Sequence, residues 1–235
     1  MTHSSAATDS AAGDLAGDIG RRLAAYRAER GLRVAELARR IGVTPSLISQ
    51  IERGQSRPSV STLFALAQAL DVPVDAFFRE PEAAGPGDAV GPAAAGGQAP
   101  PPSGPGRRPA EARYVVRRGN RAAIDIEGGV RWERLTPETM AHLDFFELVY
   151  GPGAESNPTL YSHPGTEMVL MLTGRLDISV GFETYRLDPG DSMEFPSSLP
   201  HRYANPGVSE ARAVTVIMYD CPADGSPPPA VPVHR

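Results

Sequence analysis

Residues 34–59 read VAELARRIGVTPSLISQIERGQSRPS, and the punctuation of this tract fixes two short helices and the turn between them. Val34, Leu37, Ala38 and Ile41 recur at helical spacing, and Gly42 stops the run. Thr44-Pro45 then starts a new helix, because a Thr hydroxyl accepts orphan amides and proline suits the first helical position. Leu47, Ile48 and Ile51 face inward from it until Gly54. On the N-terminal side, Ile19, Leu23 and Tyr26 predict a preceding helix that ends at Gly31. On the C-terminal side, Ser59 caps a helix carrying Leu63, Leu66, Ala67 and Leu70, and Val74, Phe77 and Phe78 predict a short fifth. The expectation is a compact five-helix domain over residues 15–80.

The composition of the whole 235-residue chain narrows what such a domain can belong to. All 23 Lys-plus-Arg positions are arginine, which excludes Schiff-base and pyridoxal-phosphate chemistry and a lysine-bearing phosphate loop. One cysteine, Cys221, excludes a disulfide framework, a CxxC redox pair and a four-cysteine zinc site. No apolar run approaches the roughly 18 residues of a membrane span, and the first residues lack the apolar core of a signal peptide. A cytoplasmic protein with no membrane partner is expected. The formal charge of −5 divides unevenly: residues 19–70 carry a net +6, and residues 111–221 a net −6. A basic module beside an acidic one favours nucleic acid as partner of the first.

Between these modules, Pro, Gly and Ala fill 23 of the 30 positions 81–110. That composition buries too little apolar surface to offset its ordering entropy, which predicts a flexible linker. Residues 1–14 and the Pro-rich tail 222–235 are expected to be unstructured as well. From 111 to 221 the texture becomes short β segments: 113–118, 122–126, 130–135, 143–150, 166–173, 176–180, 182–187, 192–195, 201–205 and 211–219. Leu176, Ile178 and Val180 alternate with polar residues, as on a strand with one wet face. Met168–Leu172 is apolar on both faces, which predicts a second covering surface such as another subunit. The fold class is therefore multidomain, α followed by all-β, the second part a sandwich or barrel.

The helical tract resembles the Xre-type helix-turn-helix regulators, with both helices, the Gly turn and the exit loop in register. The resemblance implies a second helix that enters the major groove of a double-stranded operator. Carried over by position, Thr44, Pro45, Ser46, Ser49 and Gln50 lie along its exposed face. Gln50 suits a bidentate contact to adenine, and Ser46 and Ser49 suit a base edge or a phosphate. Arg53 and Arg57 would supply backbone contacts. The family's usual glutamine at the start of the preceding helix is Val34 here, so that phosphate contact falls to Arg33 or to backbone amides. Arg27 and Glu52 stand where the family often has a structural ion pair.

Residues 159–205 contain H-x3-E-x6-G (His163, Glu167, Gly174) and PGD-x4-P-x4-H-x3-N (Pro189 to Asn205). These blocks resemble the two cupin motifs and imply a small double-stranded β-helix barrel with a central pocket, commonly dimeric. His163, Glu167 and His201 form a candidate metal set for iron, zinc or manganese. Tyr161 replaces a histidine that cupins usually have two residues before His163. Tyr161 and Tyr203 are candidates for lining an effector pocket with the triad. Arg175 and Arg186 could meet an anionic effector, or only solvate a strand face. The combined layout implies a homodimeric, non-enzymatic transcription regulator, more often a repressor, whose cupin binds a small-molecule effector. The alternative of a different class is a non-haem metal-dependent oxygenase or epoxidase with the same layout.

Overall fold

A computed structural model describes residues 19–78, 114–140 and 142–219. The expected linker and both expected tails lie outside the described residues.

Four α-helices build the first module: α1 (19–29), α2 (Val34–Ile41), α3 (Pro45–Glu52) and α4 (Val60–Leu70). Their joints follow the local chemistry. Gly42 ends α2 with φ +73°, a left-handed conformation in which a side chain would be strained. The Thr44 hydroxyl accepts from the Leu47 amide and Pro45 opens α3; the Ser59 hydroxyl accepts from the Thr62 amide to open α4. The expected fifth helix is instead a 3-10 turn, Val74–Phe78. Five residues after Pro73 are too few to close a run of α-helical bonds, although all five are buried. Arg27 spans α1 and α3, its Nε donating to Glu52 Oε1 at 2.6 Å and its Nη1 to the Leu32 carbonyl at 2.9 Å.

The second module is two antiparallel sheets. Nine strands run β1 (Ala123–Ile126), β2 (Val130–Arg134), β3 (Leu143–Tyr150), β4 (Thr166–Thr173), β5 (Leu176–Val180), β6 (Glu183–Leu187), β7 (Ser192–Pro196), β8 (His201–Ala204) and β9 (Ala211–Met218). One sheet has the order β1-β2-β3-β9-β4-β7 and the other β6-β5-β8. The strand expected at 113–118 does not form: described residues there are irregular, followed by a 3-10 turn at Arg118–Asn120. Arg117 and Arg118 offer no apolar alternation to pack, so nothing recruits them to the sheet. Gly174, the last glycine of the first cupin-like block, has φ +73°, and a Cβ there would lie 2.7 Å from the Ala211 Cα. It lets β4 turn into β5 directly against β9.

Alternation places Phe146, Leu148, Val169, Met171, Ala213 and Ile217 inside the barrel. On β4, Val169 and Met171 line the covered face, whereas Leu170 and Leu172 on the opposite face, where a second covering surface was expected, are about 40% exposed in the single chain. The core does not stop at the module boundary. One continuous apolar cluster runs from Leu37, Ile48 and Leu63 through Phe64, Phe77 and Phe78 to Trp132, Phe146 and Tyr203.

Candidate functional site

Two surfaces carry chemistry. The first is α3. Ile48 and Ile51 anchor it to the module core, which leaves Pro45, Ser46 and Gln50 exposed and Ser49 half-buried. Thr44 is exposed, but its hydroxyl is engaged in capping. Arg33 precedes α2 in an extended conformation, is exposed and makes no cap bond. Arg53 is exposed just past α3, with its Nε donating to Gln55 Oε1 at 3.0 Å. Arg57 stands apart from this group: it is half-buried, and its Nη2 lies 4.0 Å from Asp125 on β1 of the barrel. The α3 face thus presents polar side chains at the helix N-terminus, where backbone amides and the helix dipole favour anions.

The second surface lies inside the barrel. His163 precedes β4, Glu167 is the second residue of β4, and His201 opens β8. All three are buried, at 2%, 4% and 0% exposure, and their ligand atoms lie within 4.8 Å of one another. Among the described residues, they form the one cluster able to hold a metal. Each imidazole uses Nδ1 toward a backbone carbonyl: His163 toward Pro164 at 3.1 Å and His201 toward Leu199 at 2.8 Å. That fixes the tautomer and turns both Nε2 atoms toward Glu167 Oε2, at 3.3 and 3.6 Å. Glu167 Oε1 is saturated, accepting from the Tyr203 hydroxyl at 2.7 Å and the Thr215 hydroxyl at 3.0 Å. Glu167 Oε2 and His201 Nε2 are buried without a hydrogen-bond partner.

The ionisation pattern follows from this packing. Burial pushes His201 down to about 4, aided by His163 and opposed by the Glu167 charge, so its ring is neutral near pH 7. Burial works against ionised Glu167, but His163 and the Tyr203 hydroxyl outweigh it and hold the carboxyl below its ordinary value. A neutral imidazole and an ionised carboxylate, each with a free atom aimed at a common point, suit a divalent cation. His163, Glu167 and His201 would hold such an ion, which would supply a Lewis acid or, as iron, a redox centre.

Tyr161 bridges to His201 through backbone hydrogen bonds, and its ring packs 4.5 Å from that imidazole. It contributes no atom to the cluster. Tyr203 is 1% exposed and buttresses Glu167. Arg175 and Arg186 lie away from the pocket, paired with Asp188 and Asp177. Two residues that sequence reasoning missed complete the site. Thr215 was legible in principle, as the polar member of the inward row Ala213, Thr215, Ile217 on β9. Phe64, from α4, stacks face to face on His163 with ring centroids 3.9 Å apart and planes at 8°.

Comparison with known proteins matches residues 23–77 to a helix-turn-helix family model and residues 146–217 to a cupin domain model. The chain is 25% identical over 193 residues to the HTH-type transcriptional regulator SutR of Escherichia coli, a span of 82% of this chain and 90% of the relative. It is 23% identical over 196 residues to PuuR of the same organism, 83% of this chain and 92% of that one. The helical part is 43% identical over 54 residues to the uncharacterized HTH-type transcriptional regulator y4dJ of Sinorhizobium fredii, 23% of this chain and 70% of the relative. A crystal structure of an HTH_3 family transcriptional regulator from Vibrio cholerae has the same fold, with a TM-score of 0.58 at 20% identity over 89% of this chain and 99% of that one. With a helix-turn-helix pair in the first module and both cupin blocks in the second, the chain belongs to the Xre-type helix-turn-helix transcriptional regulators that carry a C-terminal cupin domain.

Proposed function

We propose that the protein is a one-component repressor that binds a double-stranded operator through α3 and senses a small-molecule effector in its cupin pocket. One observation carries this reading: the face of α3 left free by Ile48 and Ile51 is polar, exposed and ends in Gln50, with Arg33 and Arg53 flanking it. On this reading Gln50, Ser46 and Ser49 face base edges, while Arg33, Arg53 and the α3 amides meet phosphates. The chain acts as a homodimer, because recognition helices related by a two-fold axis read half-sites about one DNA turn apart. The outer face of the larger sheet supports this. Leu170, Val214, Val216 and Met218 share it, bordered by the Glu147–Arg212 ion pair, and an apolar patch with a polar rim suits an interface. In the pocket, His163, Glu167 and His201 hold iron, zinc or manganese, with Tyr161 and Tyr203 around an effector. The linker 81–110 joins the operator-binding module (15–80) to the sensor (111–221).

Gln50→Ala tests the operator assignment. It is expected to weaken operator binding by about 1–3 kcal/mol with little effect on random duplex. Equal loss on both duplexes, or no loss, rejects Gln50 as a base reader. Arg53→Ala is the internal contrast, lowering affinity for all sequences and flattening the salt dependence.

A further inference from the structure

The operator-binding module is docked on the mouth of the barrel, and it does so over the buried triad. Phe64 projects from α4 away from the Leu63, Leu66 and Leu70 stripe that holds the helical core. Its ring lies on the His163 imidazole, 6.0 Å from Trp132 and 6.3 Å from Tyr161. The start of α4 is tethered beside it. The Val60 amide donates to the Ser156 carbonyl, Ser61 Oγ donates to Asn157 Oδ1 at 2.9 Å, and the Glu127 amide donates to the Pro58 carbonyl at 3.0 Å. The segment that receives these bonds is fastened to β8. The Ser156 amide donates to the Tyr203 carbonyl at 2.9 Å, and Ser156 Oγ accepts from the Tyr203 amide at 3.0 Å. Since β8 carries His201 and Tyr203, this tether links α4 to the triad a second time, beside the direct stack of Phe64 on His163.

We propose that Phe64 is a residue of the sensor site, contributed by the DNA-reading module. It forms the wall that closes the triad. Anything that reaches His163, Glu167 and His201 enters by lifting Phe64, and with it α4, off the barrel. An organic effector that fills the space beside His163 competes with the Phe64 ring for that imidazole face. It therefore disfavours the docked arrangement by its differential affinity for the open one. An ion small enough to sit among the three ligand atoms leaves the ring in place and is retained behind it. This inference deepens the regulator reading above and rests on it, since it concerns regulation of that same pocket.

The test measures access to His163 without requiring any ligand. The full chain is treated with diethyl pyrocarbonate at fixed pH, and carbethoxylation of each histidine is followed by peptide mass. Exposed His142 serves as the internal reference. In the wild type, His163 is expected to react far more slowly than His142. Phe64→Ala is expected to accelerate His163 relative to His142 by about tenfold or more, because loss of a buried ring weakens the closed state. Ser61→Ala, which removes the hydroxyl that donates to Asn157 and changes no side chain of the barrel, should shift the ratio in the same direction. A wild-type His163 as reactive as His142, or a ratio unchanged in both variants, overturns the proposal. Operator affinity with and without Zn(II), measured separately, reports only on the regulator reading, so the two can fail independently.

Discussion

Asp144, at the barrel end of the docking seam, is a carboxyl that the fold holds protonated. Burial raises it to about 7, with Asp75 adding to the rise and the hydrogen bond from the Tyr219 hydroxyl opposing it. Its Oδ1 is buried without a partner. The folded chain keeps a proton there that the unfolded chain, with an ordinary carboxyl near 4, gives up. Stability from this group is therefore fully present below pH 4 and is lost as pH rises through 7. Asp144→Asn keeps the acceptor for Tyr219 and removes the titration. It should raise unfolding stability at pH 8 by about 1–3 kcal/mol while leaving pH 4 unchanged, as read from urea midpoints. A variant whose gain is the same at both pH values would show that the carboxyl is ionised in the fold. The triad itself was legible, because His163, Glu167 and His201 sit at motif spacing. Phe64 was not, because nothing in a helical stripe says what an off-stripe aromatic will meet.

At the scale of elements, turn chemistry was the most readable signal. Thr44-Pro45, Gly42 and Ser59 set the joints of three helices, each through a bond or dihedral that the residue type dictates. Thr44 also shows how one residue can be given two roles. Its hydroxyl caps α3, so Thr44→Ala should lower unfolding stability by about 1 kcal/mol, and Thr44→Ser should restore it. If operator affinity falls in the alanine variant but stability does not, the hydroxyl belongs to DNA and not to the helix. What periodicity could not supply was the number of faces a short element buries. Val74–Phe78 has helix-like apolar spacing, yet its side chains are buried because both modules cover them, which a 3-10 turn allows as well as a helix. Likewise α4, with Val60, Leu63, Phe64, Leu66 and Leu70 buried, is apolar around more than one stripe, and that excess was the sign of a second partner.

At the scale of the molecule, the opposite charges of the two modules are partly directed at each other. Arg134 of β2 donates to Asp75 of the helical module at 3.0 Å, both buried, and Arg57 faces Asp125. A net +6 beside a net −6 thus describes an internal fit as well as an affinity for phosphate. Composition could show the asymmetry, but not which charges would be consumed between residues 59 positions apart. Phe78 stacking on Phe146 at 5.0 Å continues the same seam. Asp75→Ala leaves the Arg134 guanidinium buried and unpaired, at a cost of about 3–5 kcal/mol to the docked state. Calorimetry should then resolve two transitions where the wild type, with one shared core, gives one. A single transition at unchanged temperature would mean that the seam contributes nothing to cooperativity.

The seam also carries its own indicator lamp. Trp132 is the sole indole in the chain, set between Phe64 of the helical module and Phe146 of the barrel. Its ring is 97% hidden from solvent in the docked state. Separation of the modules would wet it, and emission would move to longer wavelength without any dye, tag or labelling step. A chemical library could therefore be screened against the untouched protein by colour alone, each hit reporting in the same reading that it binds and that it parts the two halves.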